Sequence, residues 1–151
     1  MSSRDQVSES GNAVDPGIIA RRLYESFAAG DVRAVAGLLV EDVVFRGPGT
    51  GINAGDHRGR DGVLAFFAQA AHLTGGTLRI EVRDVLVGDD YVAAVATYRA
   101  TRPDRAPLEN NLVHLMRFED GRIAESWFHS RNQYEVDEFW AAESTAERRN
   151  G

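Results

Sequence analysis

The chain has 151 residues, with 43% apolar and 26% charged side chains, a formal net charge of −6 and a pI near 5.2. That length suits one domain burying about two-thirds of its unfolded surface. The acidic balance leaves no basic face for phosphates, which excludes nucleic acid as an expected partner, and with no cysteine there is neither a disulfide framework nor a thiolate metal site.

The opening stretch (MSSRDQVSESGNAVD) lacks the apolar core of a signal peptide. The longest apolar run, Gly62 to Leu73, is far short of a membrane span and contains Gln69. A cytoplasmic chain with no membrane partner is expected. Residues 1–14 are polar, Ser-rich and aperiodic, which predicts a disordered tail. A single domain over 15–141 and a charged tail over 142–151 follow. Asp15-Pro16 predicts a helix start, with Ile19, Leu23 and Phe27 as its buried stripe and Gly30 as its end. Asp31 caps a second helix whose apolar side is Val32, Val35, Leu38 and Leu39. Val43 to Phe45 reads as a short strand.

Gly47 to Gly59 (GPGTGINAGDHRG) fits neither a P-loop nor a dinucleotide fingerprint and is read as a pocket-rim loop. From Asp61 a helix buries Val63, Phe66, Phe67, Ala70 and Ala71 and ends at Gly75-Gly76. Strand-like runs follow over Thr77–Val87, Tyr91–Thr101, Leu108–Phe118 and Arg122–His129. In the first, Leu78, Ile80 and Val82 alternate in one phase and Val85 and Val87 in the other, so a β-bulge is expected near Arg83-Asp84, bending the sheet. A last helical segment carries Val136, Phe139 and Trp140. Helices followed by an antiparallel meander predict an α+β domain.

Asp120-Gly121 between two β-rich runs is a strong hairpin signal. Counted outward from that turn, Phe118 faces Ile123, Met116 faces Glu125, His114 faces Trp127 and Leu112 faces His129. Alternation then puts Leu112, His114, Met116, Glu125, Trp127 and His129 on one face, the expected pocket wall. Two histidines and a glutamate on one face raise a metal site. His129 and Glu125 lie roughly 13 Å apart along one strand, too far for one ion, so no metal is expected.

The text LYESFAAGDVRAVAGLLVEDVVF, the stretch from GPG to AGDHRGRDGVLAFF, and VHLMRFEDGRIAESW followed by NQYEVDEFW resemble the SnoaL-like branch of the nuclear transport factor two-like superfamily. That group includes ketosteroid isomerases, polyketide cyclases and limonene-epoxide hydrolase, and the resemblance covers roughly residues 16–140. It implies a cone-shaped α+β roll, three N-terminal helices packed on a strongly curved antiparallel sheet that encloses a pocket. It also implies a homodimer formed through the sheet's outer face. Gly47 stands before Pro48 where the isomerases carry their general-base aspartate. Leu23 stands at their helix tyrosine, with Tyr24 beside it, about 100° around the helix. His114 stands at their oxyanion-donating acid. His129 occupies one aspartate place of limonene-epoxide hydrolase, whose partner-strand groups meet only small residues around Ala94 to Ala96. Asn132 occupies a position where many SnoaL-like chains carry aspartate.

The candidate catalytic residues are therefore His114, His129 and Tyr24, with Leu112, Met116, Trp127, Tyr98, Phe67 and His57 as candidate ligand-binding residues. An imidazole in an apolar pocket can polarise a carbonyl or take a proton, and an enzyme using His114 is expected to show a pH inflection. The function expected is cofactor-independent acid–base chemistry of the isomerase, cyclase, dehydratase or epoxide-opening type on a small apolar, cyclic or polyketide-like molecule. The alternative is a non-catalytic ligand-binding or dimerisation module.

Overall fold

A computed structural model describes residues 14–142; both expected tails lie outside the described residues but for Val14 and Ala142 at their edges. The first helix, α1 (Pro16–Ala29), starts where Asp15 Oδ1 accepts the Gly17 N–H at 2.6 Å. It ends at Gly30, whose φ of 69° is the left-handed cap that glycine adopts without penalty. Asp31 accepts the Ala34 N–H and opens α2 (Val32–Gly37). That helix is shorter than its apolar pattern suggests. Leu39, expected on its buried side, instead begins β1 (Leu39–Gly47). A helix of one and a half turns cannot hold its own last turn against strand pairing.

The Gly-rich segment is not all loop. It contains β2 (Gly55–Arg58), which pairs antiparallel with β1 and runs directly into α3 (Gly59–Leu73). Four strands follow, β3 (Arg79–Val87), β4 (Tyr91–Ala100), β5 (Leu108–Glu119) and β6 (Arg122–Ser130), and α4 (Gln133–Phe139) closes the described chain. The sheet order is β2-β1-β6-β5-β4-β3. It is mixed rather than wholly antiparallel, because β1 lies parallel to β6. The bulge expected in β3 is present: Val82 pairs with Ala96, Asp84 with Val95, and Arg83 is the extra residue.

Ile19, Leu23, Val43, Phe45, Val63, Met116 and Ile123 form one buried cluster between the concave face of the sheet and helices α1 and α3. A second cluster, Ala70, Ala100, Leu108, Phe139 and Trp140, fixes α4 beside the far end of β4 and β5.

The hairpin turn is as expected, with positive φ at Asp120 (50°) and Gly121 (80°), the backbone of a type I′ turn. The register counted from it is not. Glu119↔Arg122 and Phe118↔Ile123 follow the turn, but the next pair is Arg117↔Glu125, leaving Ala124 as an extra residue. From there His114 faces Phe128, and Leu112 faces Ser130. A slip of one residue exchanges the two faces of a strand. Glu125, Trp127 and His129 therefore lie on the convex side, and Ser126, Phe128 and Ser130 share the concave side with His114. Physical demand explains the bulge. Ile123 and Phe128 are both apolar yet an odd number of residues apart, and only an extra residue lets both face inward. It also places Glu125 on the outer face between Arg46 (2.6 Å) and Arg117 (3.3 Å), whose guanidinium groups, Arg46 first, hold its carboxyl below the ordinary range.

Candidate functional site

A cavity of about 130 Å³ lies between the concave face and helices α1, α3 and α4. Its walls are mostly apolar: Leu23 and Phe27 from α1, Phe66 and Phe67 from α3, Ile80, Ala96, Leu112 and Phe128 from the sheet. No acidic or basic side chain borders it among the described residues. Its polar groups are neutral amides, hydroxyls, an indole and one imidazole.

That imidazole is His114, 1% exposed. It stacks on Phe128 with ring centres 4.2 Å apart and planes 10° from parallel, and meets Phe45 edge-on at 5.6 Å. From the helix above, the Tyr24 hydroxyl reaches His114 Nδ1 at 2.5 Å. Burial governs both groups. Removal from water disfavours the imidazolium and pushes His114 down to about 3, and it pushes the Tyr24 phenol far above its ordinary value. Both are neutral across the physiological range. In the tautomer where the Tyr24 O–H donates to Nδ1, the remaining hydrogen of the ring sits on Nε2. Among the described residues Nε2 has no partner, and neither does Ser126 Oγ on the same face. No inflection near neutral pH is then expected from His114, in contrast to a histidine in water.

A second polar chain crosses the cavity wall. Trp140 Nε1 donates to the Tyr98 hydroxyl at 2.9 Å. Tyr98 bonds to Asn110, its partner across β4 and β5, and Asn110 Nδ2 donates to Ser130 Oγ at 3.0 Å.

The loop after β1 and helix α4 close on each other beside the cavity. Asp137 Oδ1 accepts the Thr50 N–H at 3.1 Å and Gln133 Nε2 at 2.9 Å, and Trp140 O accepts the Ile52 N–H at 2.8 Å. The approach is tight enough to need glycine. A Cβ on Gly49, whose φ is 93°, would collide with the Asp137 carboxylate, and one on Gly51 would lie 2.6 Å from Trp140 Cβ. At the C-terminal end of α4, Arg102 and Arg105 both donate to the carbonyls of Phe139 and Ala141 at 2.7–3.0 Å. Cations on the last carbonyls of a helix suit its dipole.

The structure brings His114, Tyr24, Leu112, Tyr98 and Phe67 to this cavity. Met116 is wholly buried one pair further along and belongs to the core. His57 does not line the cavity; it stacks behind Phe66 at 4.3 Å and bonds the Asn53 carbonyl through Nε2. Trp127 and His129 are corrected to the convex face, where Trp127 packs near Tyr91 and His129 is exposed. Asn132, at the place of a family aspartate, caps α4 by accepting the Glu135 N–H. Phe128, Asn110, Ser130 and Trp140 were not singled out from sequence; the opposite parity of Ile123 and Phe128 was the available signal for the first and third. No group of three metal-binding side chains comes together among the described residues, and no described helix is long and apolar enough to cross a membrane.

Residues 20–126 match the model of the SnoaL-like domain. The chain belongs to the SnoaL-like family. This SnoaL-like chain is 31% identical to an uncharacterised protein of Mycobacterium tuberculosis over 82% of its own length and 94% of the relative's. Among solved structures, Bal32a from a soil-derived mobile gene cassette is 31% identical and superposes with a TM-score of 0.79 over 83% of this chain and 95% of Bal32a. IdmH of Streptomyces antibioticus, described as a candidate polyketide cyclase, shares the fold at 24% identity and a TM-score of 0.67 over 82% of this chain and 95% of its own. The SnoaL-like fold seen here, helices packed on a curved sheet, is the one its sequence resemblance implied.

Proposed function

We propose that the chain is a cofactor-independent, cytoplasmic enzyme that activates a carbonyl or epoxide oxygen of a small apolar, cyclic or polyketide-like molecule. The observation carrying this reading is the neutral Tyr24–His114 pair buried against an apolar cavity free of charged side chains. His114 donates Nε2–H to the substrate oxygen as negative charge develops there, and Tyr24 holds the imidazole in the tautomer that makes this possible. A donor fixed in a water-poor site needs no reorganisation during the reaction, which is how such groups accelerate it. Complete transfer of the proton through the pair is opposed, because it ends on a buried tyrosinate whose formation burial makes costly. His114 thus acts as a hydrogen-bonding electrophile. Schiff-base chemistry on a lysine is excluded, since all the basic side chains other than histidine are arginines.

With no carboxylate at the cavity, the chemistry served best is one in which the substrate supplies its own nucleophile, aldol-type closure of a readily enolised polycarbonyl above all. Isomerisation, dehydration and epoxide opening need a base in addition. The same missing carboxylate supports the second reading, a module that binds such molecules without turning them over. In either reading the convex face, with Trp127, Leu115, Tyr91 and a half-exposed Val113, is the surface for a homodimer. Turnover of aryl β-diketone and epoxide probes by wild type and His114→Phe separates the readings. Turnover lost in His114→Phe supports the enzyme; saturable binding with no turnover in wild type replaces it with the module.

A further inference from the structure

Apart from Asn53 and Gln133, the polar groups at the cavity form two hydrogen-bonded chains, and each presents a donor. The first is Tyr24 to His114, whose free end is Nε2–H. The second runs from Trp140 through Tyr98 and Asn110 to Ser130. At its far end the indole, which can only donate, gives its hydrogen to the Tyr98 hydroxyl. Tyr98 also takes a hydrogen bond from Asn110, since that contact, like the one from Trp140, favours the phenolate. The Asn110 amide nitrogen donates in turn to Ser130 Oγ, and Ser130 keeps its hydroxyl proton for an acceptor beyond the chain. A hydroxyl that accepts such a bond is polarised by it, so Ser130 is a better donor than an isolated serine. Ser130 and His114 both border the cavity. Ser130 lies opposite Leu112 and so diagonal to His114, a backbone separation of roughly 7–8 Å.

We infer that the cavity takes an uncharged ring compound with two acceptor oxygens, of the diketone or quinone type, one oxygen held by His114 and the other by Ser130. This rests on the reading of His114 given above; Ser130, with the chain behind it, is the added recognition site. Two donors call for two acceptors. A carboxylate would enter without a counter-charge, since no cationic side chain among the described residues borders the space, and an unpaired buried ion is strongly penalised. A matched pair of donors also sets the orientation, because a ring with a single oxygen satisfies one station and strands the other.

The test is calorimetric titration of the full chain with 1,4-naphthoquinone, 1-tetralone and 1-naphthoate, repeated for Ser130→Ala and His114→Phe. The absence of cysteine and lysine leaves the quinone no thiol or lysine amine to capture it covalently. In wild type the quinone is expected to bind roughly tenfold tighter than the tetralone, the worth of one additional hydrogen bond, with naphthoate weakest. Ser130 is half-buried at a strand end, so Ser130→Ala keeps the fold and is expected to erase the quinone's advantage. Equal affinities in wild type, an advantage that survives Ser130→Ala, or no binding of either ketone overturns the inference. His114→Phe reports on the parent reading separately. Weakened tetralone binding supports it, and tetralone affinity indifferent to that substitution removes it.

Discussion

Acid should destabilise this protein through a single buried imidazole, and by an amount the structure sets. Folded His114 is held near 3, against an ordinary value of 6.5, and the cause is burial among Tyr24, Phe45 and Phe128 with no charged group against it. Below pH 6.5 the unfolded chain takes up a proton that the folded chain refuses. The contribution of His114 to stability is therefore complete above about 6.5 and declines as pH falls toward 3. Each pH unit in that window costs about 1.4 kcal/mol, so the loss reaches about 2.7 kcal/mol between pH 6.5 and 4.5. The measurement is urea unfolding of wild type and His114→Phe at half-unit steps across this range. Carboxylates titrate in both proteins and cancel in the difference. The variant also strands the Tyr24 hydroxyl, a constant offset of about 1–3 kcal/mol. Only the slope of the difference carries information, and it should approach one proton. Parallel curves would show that His114 titrates alike in both states, and the buried neutral pair would have to be abandoned together with the donor role built on it.

Three further perturbations address other parts of the site. Ser126 Oγ is buried without a partner, so Ser126→Ala should leave stability unchanged or raise it by about 1 kcal/mol, read as a melting temperature a few degrees higher; a clear loss would reveal a bond to that hydroxyl. Gly49→Ala meets both a left-handed backbone and the Asp137 carboxylate, and should cost about 1–3 kcal/mol while loosening α4, seen as a shift in Trp140 fluorescence; an unchanged melting curve would mean that the loop and helix are not in register as described. Phe128→Ala should weaken binding of any apolar probe at least tenfold, because it opens the cavity wall and removes the stack on His114. Trp127→Ala should leave that affinity intact, and the reverse pattern would restore the uninterrupted hairpin register.

The elements were legible because each carries its own local chemistry. Asp15-Pro16, Gly30, Asp31 and Asp120-Gly121 act at the positions where they stand, and the phase change between Val82 and Val85 announces its bulge within four residues. What escaped was decided across strands. Counting outward from a correct turn assumes uninterrupted pairing, and Ala124 breaks it two pairs along. Local propensity gave no warning, since alanine is ordinary there; the demand came from Phe45, Phe66 and His114, which offer Phe128 a place inside. The same limit hid the parallel pairing of β1 with β6 and the short β2, both settled by partners remote in sequence. In the site, Tyr24 and His114 were visible singly as residue types on the right elements. Their contact spans ninety positions of chain and depends on how α1 crosses the sheet. The chain through Tyr98, Asn110 and Ser130 was likewise invisible, because its last member lies beyond the shifted register.

The extra residue at Ala124 separates the count along β6 from the side each residue faces. Loss of that residue would leave Arg117 opposite Glu125 and His114 opposite Phe128, whereas pairing it opposite Arg117 would bring Trp127 and His129 inward and expel Phe128 and Ser130. The present lining therefore survives either with the bulge or with that codon removed, and only closure of the bulge with the residue kept would turn Glu125 inward with them. Comparisons among relatives inherit the same rule: one without the extra residue carries its counterpart of Phe128 one position nearer the hairpin glycine.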